Sequence, residues 1–258
     1  MAADRNSIDY TAVRAVIDVE PGIDLGAEIS RALRANDIEL LPYDVLVVAQ
    51  KIVSKSAGRL VDLSAVTPSA QALELARVTD KDPRLVEVIL GESTEVIRAA
   101  PRVLIVRHRL GFVMANAGVD ASNVRSAALR EPVLLLPSDP DADATRLREC
   151  LRPTPTAELG VIISDSFGRP WRRGVVNVAL GAAGLPSLID RRGEPDRYGR
   201  PLQMTEVAFA DAIAAGAALS MGEAAEGIPV VHVRGLRWAA PNRPAAALLR
   251  DVAEDLFR

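Results

Sequence analysis

Four segments set polar side chains beside glycine and next to apolar runs, and these are where chemistry would sit. Segment 50–59 (QKIVSKSAGR) holds Lys51, Lys55, two serines and Arg59 straight after an apolar run. That combination suits an anion such as phosphate, and it reads equally as a basic surface turn. Segment 115–123 (ANAGVDASN) has small residues that let the backbone approach a ligand, with Asp120 and Asn123 as hard oxygen donors. A turn held by Asx hydrogen bonds is the plainer alternative there. In segment 164–174 (SDSFGRPWRRG), Asp165 ends an apolar strand with the Ser166 hydroxyl beside it, a pairing suited to Mg²⁺ or Mn²⁺. Segment 221–229 (MGEAAEGIP) is a glycine-bracketed acidic turn, either a helix C-cap or the source of a further carboxylate, Glu223. Asp120, Asp165 and Glu223 would together make the oxygen-rich set that such cations prefer.

Charge narrows the ligand class. From residue 165 to 200 there are seven arginines (169, 172, 173, 191, 192, 197, 200) and four acids (165, 190, 194, 196), a positive stretch in a chain of net charge −3. Aromatics are 3% of the chain and the basic stretch is local, so an anionic small substrate fits better than nucleic acid. A solvated arginine-rich loop is the alternative. With Cys150 as the single cysteine and only His108 and His232, cysteine cages, histidine-rich zinc sites and intramolecular disulfides are excluded. These three residues read as structural.

The elements that must position these groups follow from patterning. The chain has 258 residues, 49% hydrophobic and 25% charged, enough for one large domain or two packed subregions and too apolar for disorder. The longest uncharged stretch, 174–189, contains Asn177, glycines and Pro186, so it cannot span a bilayer. The first ten residues lack an apolar core of the secretory kind, and a cytoplasmic location is expected. Strands are predicted over 10–19, 44–49, 102–107, 159–164 and 229–234. Helices are predicted from Asp24, over 69–78, 83–99, 141–151 and 205–221, and in the tail from Pro244. The segment after residue 164 is expected to be a polar loop. Strands and helices mix without clean βαβ alternation, and no GxGxxG or GxxxxGK[ST] is present, so an α+β fold with mixed or antiparallel sheets and flanking helices is expected.

In order along residues 13–237, the motifs VVAQKIVSKSAGRLVDL, NAGVDASNV, GVIISDSFGRPWRRGVVNVALGAAG, DRYGRPLQMTEVAFADAIA and MGEAAEGIPVVHVRGL resemble those of the coenzyme F420-0:γ-glutamyl ligase family. The resemblance implies GTP-dependent addition of L-glutamate to coenzyme F420-0, with Mg²⁺ or Mn²⁺ at two sites and K⁺. It also implies a single ligase domain over 1–258 of two subregions, intertwined into a homodimer, without the nitroreductase-like domain that some relatives append. Carried over by motif, Asp120 and Asp165 would bind one metal, and Ser166 and Glu223 a second. Gln50, Lys55, Asn123 and the run Met221, Gly222, Glu223, Ala224, Ala225, Glu226, Gly227 and Ile228 would contact GTP. Lys55 and Arg172 would offset phosphate and substrate charge in catalysis by Asp120 and Asp165. A related ligase with another acceptor, or a non-catalytic nucleotide-binding subunit, are the competing readings.

Overall fold

The computed structural model describes residues 7–16, 18–124 and 128–255. The first half runs β1 (Asp9–Ala12), α1 (Leu25–Ala35), β2 (Asp44–Ala49), α2 (Gln50–Ser56), β3 (Leu60–Asp62), α3 (Ala70–Thr79), α4 (Pro83–Gly91), β4 (Ser93–Ala100), β5 (Val103–His108) and β6 (Val113–Ala115). The second half runs β7 (Pro132–Leu134), α5 (Pro140–Leu151), β8 (Leu159–Arg169), β9 (Arg172–Ala183), β10 (Leu188–Asp190), β11 (Glu206–Ala208), α6 (Phe209–Met221) and β12 (Val230–Arg234).

The main sheet has the order β1-β12-β2-β8-β9, with β2 and β8 parallel and the other pairs antiparallel. Strand alternation divides its side chains between two cores. Leu46, Val48, Val161 and Ile163 pack with Ile29 and Leu33 of α1 and Leu147 and Leu151 of α5. Val45, Val47, Ile162, Val231 and Val233 pack on the other face with Ile213, Ala214 and Ala217 of α6. A third core joins the β4-β5-β6 sheet to α3 and α4 through Leu104, Val106, Ala76, Val86 and Ile89. The fold is therefore α+β, as expected, with mostly antiparallel sheets.

Local chemistry explains the elements that match the sequence reading. Asp24, Ser69, Asp82 and Asp139 each cap a helix, accepting from the backbone N–H of Ala27, Ala72, Arg84 and Ala142. Five expectations are corrected. The helix predicted over 83–99 stops at Gly91, and the β-branched Thr94, Val96 and Ile97 continue as the edge strand β4, paired with β5 through two bulges. The polar loop expected after residue 164 is a continuation of β8, folded back as β9 with Ser166 opposite Asn177 and Gly168 opposite Val175. Its turn uses Trp171 at φ +57° and Gly174 at φ +87°. The helix predicted over 205–221 begins at Phe209, because residues 206–208 pair with β10. The tail helix is replaced by two short 3₁₀ turns, Ala245–Leu248 and Val252–Glu254. There Asp141 accepts from the Ala245 and Ala246 N–H groups at 2.7 and 3.2 Å and ties the segment to α5. The first strand ends at Ala12 rather than 19; Ile17 of that prediction and residues 256–258 of the tail lie outside the described residues.

Candidate active site

Parallel pairing of β2 and β8 ends with Ala49 opposite Ser164, so the carboxyl end of β2 opens beside the point where β8 goes on paired with β9 alone. Open sheets bind ligands at such carboxyl ends, where backbone and side chains are held rigidly and face outward. A cleft of about 640 Å³ lies there. β2 delivers Gln50, Lys51 and Lys55 through α2, β8 delivers Ser164, Asp165 and Ser166, and the turn after α6 delivers residues 221–229. Asp120, Ser122 and Asn123 close the wall, and β9 adds Asn177.

Asp120 is presented by a constrained turn. Asn116, Ala117 and Gly118 take φ values of +54°, +51° and +67° in succession, and a Cβ at Gly118 would stand 2.7 Å from Leu136. The carboxylate receives the Lys51 ammonium at 2.7 Å, the Ser122 N–H at 2.6 Å and the Ser122 hydroxyl at 3.0 Å. Burial raises its pKa, but these donors outweigh burial and hold it below the ordinary carboxylate value. Asp165 behaves oppositely. Burial pushes its carboxyl up to about 7, and the negative charges of Asp120 and Glu223 add to the rise against a Ser166 N–H and Lys51. Three carboxylates thus feel one another across the cleft, with Lys51 as the nearest counter-charge.

Every sequence-predicted metal and nucleotide residue borders this cleft: Asp120, Asp165, Ser166, Glu223, Gln50, Lys55, Asn123 and the run from Met221 to Ile228. Gln50 is buried and accepts from Ser54 Oγ at 3.0 Å. Lys55 pairs with Asp18 at 3.0 Å, and Asn123 Nδ2 donates to the Ala224 carbonyl at 3.4 Å. Gly222 ends α6 at φ +72°, a conformation that lets Glu226 turn back and accept from the Ala224 N–H at 2.8 Å. Arg172 stands apart, exposed near the tip of the β8–β9 hairpin and outside the cleft lining.

Lys51, Asp18, Ser122, Ser164 and Asn177 line the cleft without having been singled out as site residues. Lys51, Ser122 and Ser164 lie inside the four polar segments, and Asn177 is the only amide in the uncharged stretch 174–189. His108 and His232 are structural, as expected. The buried His108 accepts from the Leu110 N–H at 2.9 Å, and His232 Nε2 lies 2.8 Å from Asp44.

The cleft's donors are carboxylates, hydroxyls and amides, with neither imidazole nor thiol in its lining, which is the chemistry a hard divalent cation selects. Mutual repulsion at Asp165 is the second sign of a place suited to positive charge. Among the described residues no three acidic, histidine or cysteine side chains are already gathered for one ion. Asp120, Asp165, Ser166 and Glu223, the residues that the resemblance gives to metal, all line this cleft.

Comparison with known proteins agrees with the motifs. The family model described as F420-0:Gamma-glutamyl ligase matches residues 15–235. A protein named coenzyme F420:L-glutamate ligase from Methanothermobacter thermautotrophicus is 46% identical over 242 residues, covering 93% of this chain and 94% of the relative. Its namesake from Methanopyrus kandleri is 46% identical over 245 residues, 93% of each chain. The one from Methanocaldococcus jannaschii is 43% identical over 215 residues, 83% of this chain and 84% of its own. This chain therefore belongs to the F420-0:γ-glutamyl ligase family.

Proposed function

We propose that the chain uses GTP to join L-glutamate to coenzyme F420-0, adding one or more residues, γ-linked after the first, and releasing GDP and phosphate. It is an amide-bond-forming ligase of coenzyme F420 biosynthesis, as its family and its relatives' names state. The observation that carries the finer reading is the convergence of the acidic, hydroxyl and lysine residues of four distant segments on one cleft.

Amide formation from a carboxylate needs a leaving group. In the proposed reaction the terminal carboxylate of F420-0 takes the γ-phosphoryl group of GTP, and the amine of glutamate then displaces phosphate from the acyl phosphate. Such transfer is largely positioning and charge neutralisation. Bound Mg²⁺ or Mn²⁺ supplies neutralising charge across the phosphates, with K⁺ as a further cation requirement. Lys55 lies at the nucleotide side and offsets phosphate charge; Lys51 holds Asp120 and gives up that contact when ligand binds. The turn 221–228 cradles the nucleotide with its backbone and with Asn123. Arg172, Arg169 and Arg173 form an exposed basic ribbon for the anionic groups of the acceptor. The protein works as a cytoplasmic homodimer of intertwined protomers, each a single two-subregion domain.

Mass spectrometry after incubation with F420-0, L-glutamate, GTP and Mn²⁺ tests this. Products heavier by glutamyl units that require GTP are expected. Retained GTP with no mass added to F420-0 would reject the acceptor. Arg172→Ala is expected to raise KM for F420-0 while leaving KM for GTP unmoved, and an unaltered KM for F420-0 would remove the arginine from the acceptor site.

A further inference from the structure

The cleft contains two buried polar atoms that no group among the described residues satisfies, Ser164 Oγ and Asn177 Oδ1. Their residues are 2% and 6% exposed, and both line the cleft. Ser164 pairs with Ala179 and Ser166 with Asn177, so Ser164 and Asn177 are diagonal neighbours on one face of the β8–β9 ladder. The orientation of the Asn177 amide is set by its nitrogen, which faces Met221 Sδ at 3.8 Å. A thioether accepts weakly and does not donate, so the amide oxygen is the end left free. Buried acceptors are rarely left unpaired, and those that are call for a ligand or an ion.

The surroundings fix the kind of ligand. Asp120, Asp165 and Glu223 make this part of the cleft rich in acceptors and negative charge. Both cleft lysines are engaged, Lys51 by Asp120 and Ser122 and Lys55 by Asp18. Ser164 Oγ can donate or accept, but Asn177 Oδ1 only accepts, so a phosphate or carboxylate here would set acceptor against acceptor. Divalent cations are drawn to the carboxylates, whereas a neutral amide oxygen and a hydroxyl suit N–H donors. We propose that Asn177 Oδ1 and Ser164 Oγ form the subsite for the primary amine of the incoming amino acid. The proposal rests on the ligase reading and extends it to the second substrate.

The amino group enters as an ammonium held by the two acceptors, gives one proton to solvent, and then has its lone pair directed at the acyl carbon. The C–N bond forms as the C–O bond to phosphate breaks; the departing phosphate keeps the electron pair and receives the proton that nitrogen sheds. Asn177 and Ser164 thus bind and orient the amine, and neither changes protonation state.

Steady-state kinetics of the full chain with F420-0, GTP and Mn²⁺ test the subsite. Asn177→Leu is expected to raise KM for L-glutamate about tenfold or more, the loss of one hydrogen bond to a charged or polarised group. KM for GTP and the Mn²⁺ and K⁺ requirements should stay within about twofold. Ser164→Ala, which removes one oxygen, should move KM for glutamate in the same direction by less. Asn177→Asp should keep a low KM, since a carboxylate still accepts from an ammonium. Should Asn177→Leu fail to fold, Ser164→Ala and Asn177→Asp carry the test. An unmoved KM for glutamate, or a change in the GTP or cation requirement in its place, overturns the subsite while the ligase reading stands. Absence of any glutamylated product from the wild-type protein overturns both.

Discussion

Asp120 and Asp165 are the same side chain placed 45 positions apart in one cleft with opposite electrostatics. Lys51 and Ser122 supply donors to Asp120, while Asp165 has burial and two like charges to oppose its ionisation. For metal-free protein the sign follows directly. A carboxyl raised in the folded state to about 7 opposes folding once ionised, so this contribution to stability falls as pH rises from about 4 to 7. Asp165→Asn removes that dependence, and thermal melts of metal-free protein across this range should show a flatter profile than wild type. The same variant should lower turnover by about 100-fold or more, because the group that would hold charge against the phosphates is gone. Full activity in Asp165→Asn would remove that residue from the mechanism. The residue types and their segments were legible in the sequence, because acids and amides flanking glycine after apolar runs are uncommon. Asn177 was not, since a lone asparagine in an apolar stretch has no signature until its buried surroundings are known; Ser164 lies inside the legible segment 164–174 but carries no sign of its own.

At the scale of elements, β9 is the strand on which the cleft depends, and its fit is governed by glycine. The β8–β9 ladder shifts register between Ile163 and Ser164, freeing backbone N–H groups on β9. Aspartates at two helix N-termini take them: Asp211 of α6 accepts from Ala179 at 2.9 Å and Asp141 of α5 from Ala182 at 2.8 Å. Gly181 lies between them against the Pro140 carbonyl, where an added Cβ would overlap backbone. Gly181→Ala is therefore expected to destabilise the fold by about 3 kcal/mol, read by urea denaturation, and to weaken binding in the cleft through displaced Asn177. A change below about 0.5 kcal/mol would show that α5 can yield. Strands β2, β5 and β12 and helices α1, α3 and α5 were readable to within a few residues because their faces are uniformly apolar or regularly periodic. The β8–β9 ribbon beyond residue 164 was hidden because its tip, 168–169 and 172–175, is exposed and rich in glycine and arginine, leaving no apolar alternation to read. The edge strand β4 was hidden for a similar reason, its apolar residues continuing the pattern of α4.

Across the whole molecule, a second charged cluster ties the sheet together well away from the cleft. Asp44, at the start of β2, is buried and accepts from Arg234 at 2.7 and 3.0 Å and from the Leu41 N–H at 2.8 Å, with His232 Nε2 at 2.8 Å. Burial raises its pKa, but these contacts bring the carboxyl down to about 2. A carboxyl lowered by folding adds stability above its unfolded value of about 4, and that stability is lost as pH falls through about 2. Asp44→Asn should cost about 3 kcal/mol near neutral pH and flatten the acid limb between about pH 4 and 2, measured by denaturant titration against pH. An acid limb as steep as that of wild type would assign it to other carboxyls.

No helix among the described residues is long and apolar enough to cross a membrane, in keeping with the composition. By itself the sequence determined the α+β class, the four chemical segments and the family, because residue type, apolar period and motif order are local properties that survive without coordinates. Only the tertiary structure decided that β2 and β8 pair in parallel up to Ala49 and Ser164, that Lys51 pairs with Asp120, and that Asn177 Oδ1 and Ser164 Oγ are left unpaired. Those facts depend on contacts between residues far apart in the chain, such as Ala49 with Ser164, and on burial that no local pattern encodes.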